Sequence, residues 1–273
     1  MNGYDKVFIL GLDGLEYNFV EKWNLAHLKQ LEYGKIKVPI EKDEKIPLTP
    51  KVWAAFLTGK PLADMRFVKP LRIEIPLKIL RFARKHIKIS LGLGKRIASK
   101  APSRFPKLKQ KTFLDIVKFK EVNSPYYSYD GKVLDIFHRF YNGKLTLKET
   151  INALKKLYEL RKKQILHEAI NLQDIDGVFA YMHFPDALQH LLFNKSLEIK
   201  KLYIDLDSYV SILKSRVKSS LFLIVSDHGF DLETKNHSKH GFYSSNMPLN
   251  PKPKQITDFY NLIVSGHKHK LFK

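Results

Sequence analysis

The sequence predicts an α/β protein, a three-layer arrangement with a mostly parallel central sheet between helices. Three observations carry this expectation. The runs at 6–14, 177–184 and 220–229 are apolar nearly throughout, the pattern of strands buried on both faces. Segments with helical spacing of apolar residues lie between them, as in repeated βαβ units. An aspartate ends or closely follows each run: Asp13, Asp186 and Asp227. In open α/β sheets the carboxyl edge of the strands is where ligands bind.

Taken in order, "KVFILGLDG" (Lys6–Gly14) is the first strand. The next segment places Phe19, Trp23, Leu25, Leu28 and Leu31 at helical spacing, with Gly34 as a stop. "KIKVPI" (35–40) reads as a second strand. Val52–Thr58 reads as a helix entered at Pro50 and ended near Gly59. The stretch 62–142 reads as a basic cap or insertion outside the sheet core. Within it, Ile75–Ile89 reads as a helix with Lys78, Arg81, Lys85 and Lys88 on one face. Thr146 and Glu149 form a capping-box start for a long charged helix to about Ile170. "GVFAYMHF" (Gly177–Phe184) is a further strand, helices are expected near Asp186–Phe193 and Leu197–Leu213, and "SLFLIVSDHG" (Ser220–Gly229) is the last strand. No internal repeat interrupts this order, so 1–273 is expected as a single domain with 62–142 inserted.

With no cysteine, the chain has no disulfide, thiolate metal site or cysteine nucleophile. No run reaches the roughly 18–20 apolar residues of a membrane span. The N-terminal apolar run is too short for a secretory signal. These features predict a cytoplasmic protein. Charge is the unusual bulk property: 48 Lys and Arg against 27 acids give +21. From Arg66 to Lys111 there are 15 Lys or Arg and one acid, Glu74. Such a field favours anionic partners. Three are open: a small phosphorylated substrate drawn in by a charged lid, anionic lipid touched peripherally, or a nucleic-acid backbone. Aromatics are sparse in this stretch (Phe67, Phe82, Phe105), which weakens the case for a base-stacking platform. A lysine-rich surface without any ligand is the fourth option.

The candidate site comes from acids and histidines taken together. Asp186 and His190 are four apart, on one face of a helix start. Asp227 and His228 adjoin at a strand end, before Gly229. His240 precedes a glycine and an aromatic. With Asp13 these make six candidate metal ligands, and the Thr49 hydroxyl is a seventh. Oxygen and imidazole donors without sulfur suit Zn²⁺ or Mn²⁺ in an open, catalytic site. Six or seven donors suit two ions sharing a site about 4 Å across. Each element alone has a plainer reading: an aspartate as a helix N-cap, an Asp–His pair as a surface contact, Thr49 as the cap of the helix behind it. His183 and His237 read as structural or exposed positions. The joint order carries the weight: Asp, Thr, Asp-x-x-x-His, Asp-His, His.

That order resembles the alkaline phosphatase superfamily and, within it, the type I phosphodiesterase/nucleotide pyrophosphatase branch. The matching stretches are "GLDG" (Gly11–Gly14), "PLTPKVWAAFLTGKP" (Pro47–Pro61), "PDALQH" (Pro185–His190), "VSDHGF" (Val225–Phe230) and "HGF" (His240–Phe242). The resemblance implies an alkaline phosphatase-like fold and metal-dependent hydrolysis of phosphodiester or pyrophosphate bonds, with Thr49 as nucleophile. It implies two divalent ions, Zn²⁺ first and Mn²⁺ as the alternative. Asp13, Asp227, His228 and the Thr49 oxygen would hold one; Asp186, His190 and His240 would hold the other. Phosphomonoester hydrolysis and phosphoryl transfer to an alcohol would use the same residues, and an inactive basic binding protein is the reading from another class. The sulfatase branch is set aside, because its modified cysteine or serine is replaced by Thr49. The chain departs from the family after the nucleophile, where Pro50 has no N–H to offer phosphate. Lys51 becomes the candidate phosphate contact. The family's substrate-reading residues lie in the cap and have no counterparts to carry over.

Overall fold

The computed structural model describes residues 6–65, 105, 108–170, 174–217 and 220–271. Its main sheet holds six strands: β1 (Lys6–Leu12), β2 (Glu32–Lys37), β3 (Phe119–Val122), β4 (Gly177–Met182), β5 (Ser220–Ser226) and β8 (His240–Ser245). β6 (Phe230–Asp231) and β7 (Asn236–His237) pair separately as a short ladder. The order across the main sheet is β2-β8-β5-β1-β4-β3. β1 pairs in parallel with β4 and β5, and β3 in parallel with β4. β8 is antiparallel to β5 and to β2.

The apolar runs read as continuous because both faces of the sheet are covered. Along β1, Phe8, Leu10 and Leu12 join one core layer. That layer includes Leu154, Leu157 and Ile165 of the helix Leu147–Ile170, and Leu202, Leu206 and Leu213 of the helix Ser196–Arg216. Val7 and Ile9 point the other way, into a layer with Trp53 and Phe56 of the helix Thr49–Thr58 and Phe259 and Ile263 of the helix Asp258–Leu271. Period-2 alternation thus places apolar groups on both sides of a strand whose every residue past Lys6 is buried. This is the expected α/β sandwich of three layers, with a mostly parallel sheet.

Several element boundaries differ from the sequence reading. The expected helix from Phe19 to Leu31 is two short helices, Tyr17–Lys22 and Ala26–Lys29, separated where Asn24 takes φ 48°. Gly34 is no helix stop; it lies inside β2, which begins three residues before the expected strand. The reading of 62–142 as lying outside the sheet fails for its last third. Phe119–Val122 is an edge strand, Phe113 is wholly buried in the core, and the helix Lys132–Tyr141 packs on Leu147–Ile170. The expected basic helix Ile75–Ile89, and most of Arg66–Lys111, lie outside the described residues. Among the described residues, no helix is long and apolar enough to cross a membrane.

One topological consequence sets up the site. β1, β4 and β5 are parallel, so their carboxyl ends share one edge of the sheet. β8 runs the opposite way, so it begins at that same edge. The connection from β5 through β6 and β7 to β8 therefore stays beside Asp13, Asp186 and Asp227.

Candidate active site

Hydrogen bonds tie the three strand ends together. The Asp13 amide donates to the Met182 carbonyl (3.0 Å) and the Asp186 amide donates to the Asp13 carbonyl (2.9 Å). Gln189 Nε2 donates to the Gly14 carbonyl (2.9 Å), and the Leu15 amide donates to Ser226 Oγ (2.8 Å). Gly14 has φ 75°, and a Cβ there would lie 2.6 Å from Asp186 Cβ. A left-handed turn and close backbone approach both require glycine at this position.

Asp13, Asp227 and His228 form the first group, all three fully buried. His228 Nε2 lies 3.2 Å from Asp13 Oδ1 and 3.3 Å from Asp227 Oδ2. Thr49 Oγ1 joins them, 3.4 Å from Asp13 Oδ1 and 3.0 Å from His228 Nε2. Thr49 is the first residue of its helix, and everything behind it from Pro50 to Thr58 is buried. Its hydroxyl thus meets the acid and the imidazole rather than capping its helix, and the helix places it rigidly.

The second group is Asp186, His190 and His237. His190 Nε2 is 3.1 Å from Asp186 Oδ1 and 3.2 Å from His237 Nε2. His237 Nε2 is 3.8 Å from Asp186 Oδ1. The His228 and His237 rings stack at 3.6 Å with 10° between their planes, so the two groups share a wall.

Two expectations are corrected. His240 does not join Asp186 and His190; its Nε2 lies 3.3 Å from Oε1 of the buried Glu16. His237, which sequence reading set aside, takes that place because β7 ends at the sheet edge while His240 already belongs to β8. The "KNHSKHGF" stretch holds both histidines, and only the strand register separates them. Lys51 is not free to meet phosphate: its ammonium pairs with Glu41 and its amide donates to the Leu48 carbonyl at 2.9 Å.

The structure also brings in Tyr181 and Tyr129, which the sequence did not single out, and His183, which it read as structural or exposed. Tyr181 OH donates to Asp13 Oδ2 at 2.5 Å, and His183 Nε2 lies 3.2 Å from the same oxygen. His183 Nδ1 is 3.1 Å from Tyr129 OH. Asp13 therefore turns Oδ1 to Thr49 and His228 while Oδ2 is held from behind. The alternation along β4 puts Tyr181 on the Trp53 side of the sheet, but nothing in the sequence names its partner.

The electrostatics call for positive charge. Three buried carboxylates cannot stay ionised side by side without it. For Asp13, burial raises the pKa, but the His183 charge and the His228 hydrogen bond outweigh burial and hold the carboxyl below its ordinary value. Asp186 is also lowered despite burial, mainly by His190. Asp227 is pushed up, by burial first and the Asp13 charge second. Burial would lower His228, yet Asp227 and Asp13 push it up to about 10. His237 is lowered to about 3, by burial and then the His228 charge.

A divalent cation at each group fits these atoms. His237 Nδ1 lies 3.0 Å from the Pro47 carbonyl, and His228 Nδ1 lies 3.0 Å from the Gly229 carbonyl. A carbonyl only accepts, so both Nδ1 atoms carry hydrogen and both Nε2 atoms are left to ligate. Neutral His237 then aims a bare Nε2 toward His190 and Asp186. Asp186 Oδ1 and Asp227 Oδ2 are buried and have no well-aligned hydrogen-bond donor; an imidazole nitrogen lies near each, at 3.1 Å and 3.3 Å. Lone pairs converging in this way are the donor arrangement of a cation site, and the oxygen and nitrogen set suits Zn²⁺ or Mn²⁺.

Fold and site together define an α/β protein with two groups of cation-ligand donors at the carboxyl edge of its sheet. The family model for type I phosphodiesterase / nucleotide pyrophosphatase matches residues 103–248, more than half of the chain, and the chain belongs to that family. The match contains Asp186, His190, Asp227, His228 and His237; Asp13 and Thr49 precede it. No curated protein matches the chain. Murine ectonucleotide pyrophosphatase/phosphodiesterase 5, solved as an inactive variant with AMP, is 16% identical with a TM-score of 0.45; the match covers 82% of this chain and 57% of that one. The chain thus spans little more than half of that relative's length. The PH0037 protein of Pyrococcus horikoshii is 11% identical, with 96% and 98% covered and a TM-score of 0.49. Alkaline phosphatase from the Antarctic bacterium TAB5 is 11% identical, with 97% and 98% covered and a TM-score of 0.44.

Proposed function

We propose that this chain is a divalent-cation-dependent hydrolase of phosphodiester or pyrophosphate bonds, acting on small phosphorylated substrates of the nucleotide kind with Thr49 as nucleophile. The observation that carries this reading is the position of Thr49 Oγ1, at a helix start, 3.4 Å from Asp13 Oδ1 and 3.0 Å from His228 Nε2 of the first donor group. Asp13, Asp227 and His228 would hold one ion beside Thr49; Asp186, His190 and His237 would hold the other. When bound, the ions neutralise phosphate charge and make oxygens bound to them more acidic. The donor set favours Zn²⁺ with Mn²⁺ as the alternative.

The chain's own residues supply the rest. Asp13 Oδ1 accepts the Thr49 hydroxyl hydrogen, and Tyr181 and His183 hold the other Asp13 oxygen so that this one stays aimed. The N-terminus of the Thr49 helix favours an anion at that spot. The buried helix fixes the hydroxyl, which lowers the entropic cost of alignment. Attack forms the Thr49 Oγ1–phosphorus bond and breaks the bond to the leaving group, which departs with a proton. Water then breaks the Oγ1–phosphorus bond, releasing the phosphate product and restoring the hydroxyl. The excess of Lys and Arg between Arg66 and Lys111 supports long-range attraction of anionic substrates. Contact of that stretch with anionic lipid or nucleic acid is a secondary proposal; a vesicle or oligonucleotide not retained at low salt rejects it.

The test is turnover of bis(p-nitrophenyl) phosphate with Zn²⁺ or Mn²⁺. Thr49→Ala is expected to lose at least about a thousandfold in kcat while keeping its circular dichroism. Equal turnover by the two proteins refutes the reading. Products formed in the presence of added alcohols separate hydrolysis from phosphoryl transfer, and water is the expected acceptor.

A further inference from the structure

A cavity of about 930 Å³ adjoins the Asp186, His190 and His237 group. His237 is part of its wall. Phe230, also in the wall, meets the His190 ring edge-on at 5.2 Å. The volume suits a group the size of a nucleoside. Phe19, Ile46, Phe230 and Leu232 give it apolar surface. Its charge runs against that of the whole chain. Among the described residues lining it, Glu16, Glu44, Asp231 and Glu233 stand against Lys45 and Lys239, on a chain of net charge +21. His240 adds positive charge only when protonated, and it is already the partner of Glu16.

Thr49 stands with Asp13 and His228, whose ring stacks on His237, so for a phosphorus held between the two groups in-line attack would turn the departing oxygen away from Thr49 and toward His190 and His237. We infer that this cavity receives the leaving group, and that its carboxylates select a neutral or cationic alcohol over a phosphorylated leaving group. The inference rests on the proposed function and narrows it, from phosphodiester or pyrophosphate bonds to phosphodiesters of uncharged alcohols. In that reaction one phosphorus–oxygen bond to the alcohol breaks, water supplies the hydroxyl that replaces it, and the alcohol leaves with a proton. A pyrophosphate substrate would instead push a multiply charged group against four carboxylates, a repulsion that lowers its affinity and rate.

The test uses two probes, thymidine 5′-(p-nitrophenyl phosphate) and ATP, with the wild type and the double variant Glu44→Lys/Glu233→Lys. The variant is expected to raise kcat/KM for ATP relative to the aryl ester by about tenfold. An unchanged ratio, or a shift toward the aryl ester, overturns the inference. A second readout needs no turnover. On a Thr49→Ala background, calorimetry is expected to show the charge reversal tightening ATP about tenfold and the aryl ester less than about twofold; equal effects on both overturn the inference. If the cation-loaded wild type cleaves neither probe, the proposed function falls, while the binding comparison still decides what the cavity accepts.

Discussion

Two histidines three positions apart have different tasks at the sheet edge. His237 gives its Nδ1 hydrogen to Pro47 and turns Nε2 to Asp186 and His190, whereas His240 Nε2 faces the buried Glu16 carboxylate. Substituting each should separate the roles. His237→Ala is expected to weaken binding of the ion at Asp186 and His190 by at least about a hundredfold, read as metal content after dialysis. His240→Ala should keep full metal content but lose about 1–3 kcal/mol in urea denaturation, because buried Glu16 loses a partner. Metal loss from the second variant and not the first would reverse the assignment. The His228 proton gives a pH dependence. Its pKa, pushed up to about 10, means a cation at Asp13 and Asp227 must displace that proton at neutral pH. Affinity should therefore tighten as pH rises from about 6 toward 9, with proton release visible by calorimetry in buffers of different ionisation enthalpy. A pH-independent affinity would exclude His228 as a ligand. In the cation-free protein the same shift stabilises the fold fully below about 6.5, the ordinary imidazole value. That contribution is lost as pH rises through about 10.

The elements work through the turns that end them. The turn after β1 is held by Gly14 against Asp186, so a side chain there must move the second donor group. Gly14→Ala is expected to destabilise the fold by about 1–3 kcal/mol through backbone strain, and to reduce cation binding along with it. Unchanged melting and metal content would mean that the turn does not govern the donors. A comparable contact stands at Gly229, where a Cβ would lie 2.0 Å from Glu16 Oε2. The strands that end in these turns were legible in the sequence because burial on both faces leaves an uninterrupted apolar run. β8 was not legible as a strand: Phe242 and Tyr243 are flanked by small and polar residues, and its register decides which histidine is the ligand. β3 was hidden for a similar reason. As an edge strand of four residues, "FKEV", it has one neighbour in the sheet and carries little apolar signal. The sequence named Asp13, Thr49, Asp186, Asp227 and His228 as candidates because each sits at the carboxyl end of an apolar run or at a helix start, and His190 because it follows Asp186 by four. His183, Tyr181 and Tyr129 act through contacts between distant segments, which spacing along the chain does not encode.

For the molecule as a whole, charge is distributed at two ranges. The +21 net charge attracts anions from a distance, while the carboxylates beside His237 act only on a group already in place. Turnover of an anionic ester under kcat/KM conditions should fall roughly severalfold as salt rises from about 50 to 500 mM, with kcat changing less. Salt-independent kcat/KM would deny the lysine-rich stretch any steering role. The central claim is that one sheet edge gathers two cation sites around the Thr49 hydroxyl. Anomalous diffraction from crystals grown with Zn²⁺ tests it most directly. The account predicts two peaks at about 2.0–2.2 Å from their donors, one on Asp13, Asp227 and His228 with Thr49 beside it, and one on Asp186, His190 and His237. A peak bound through His240, or no peak at these six side chains, would contradict it.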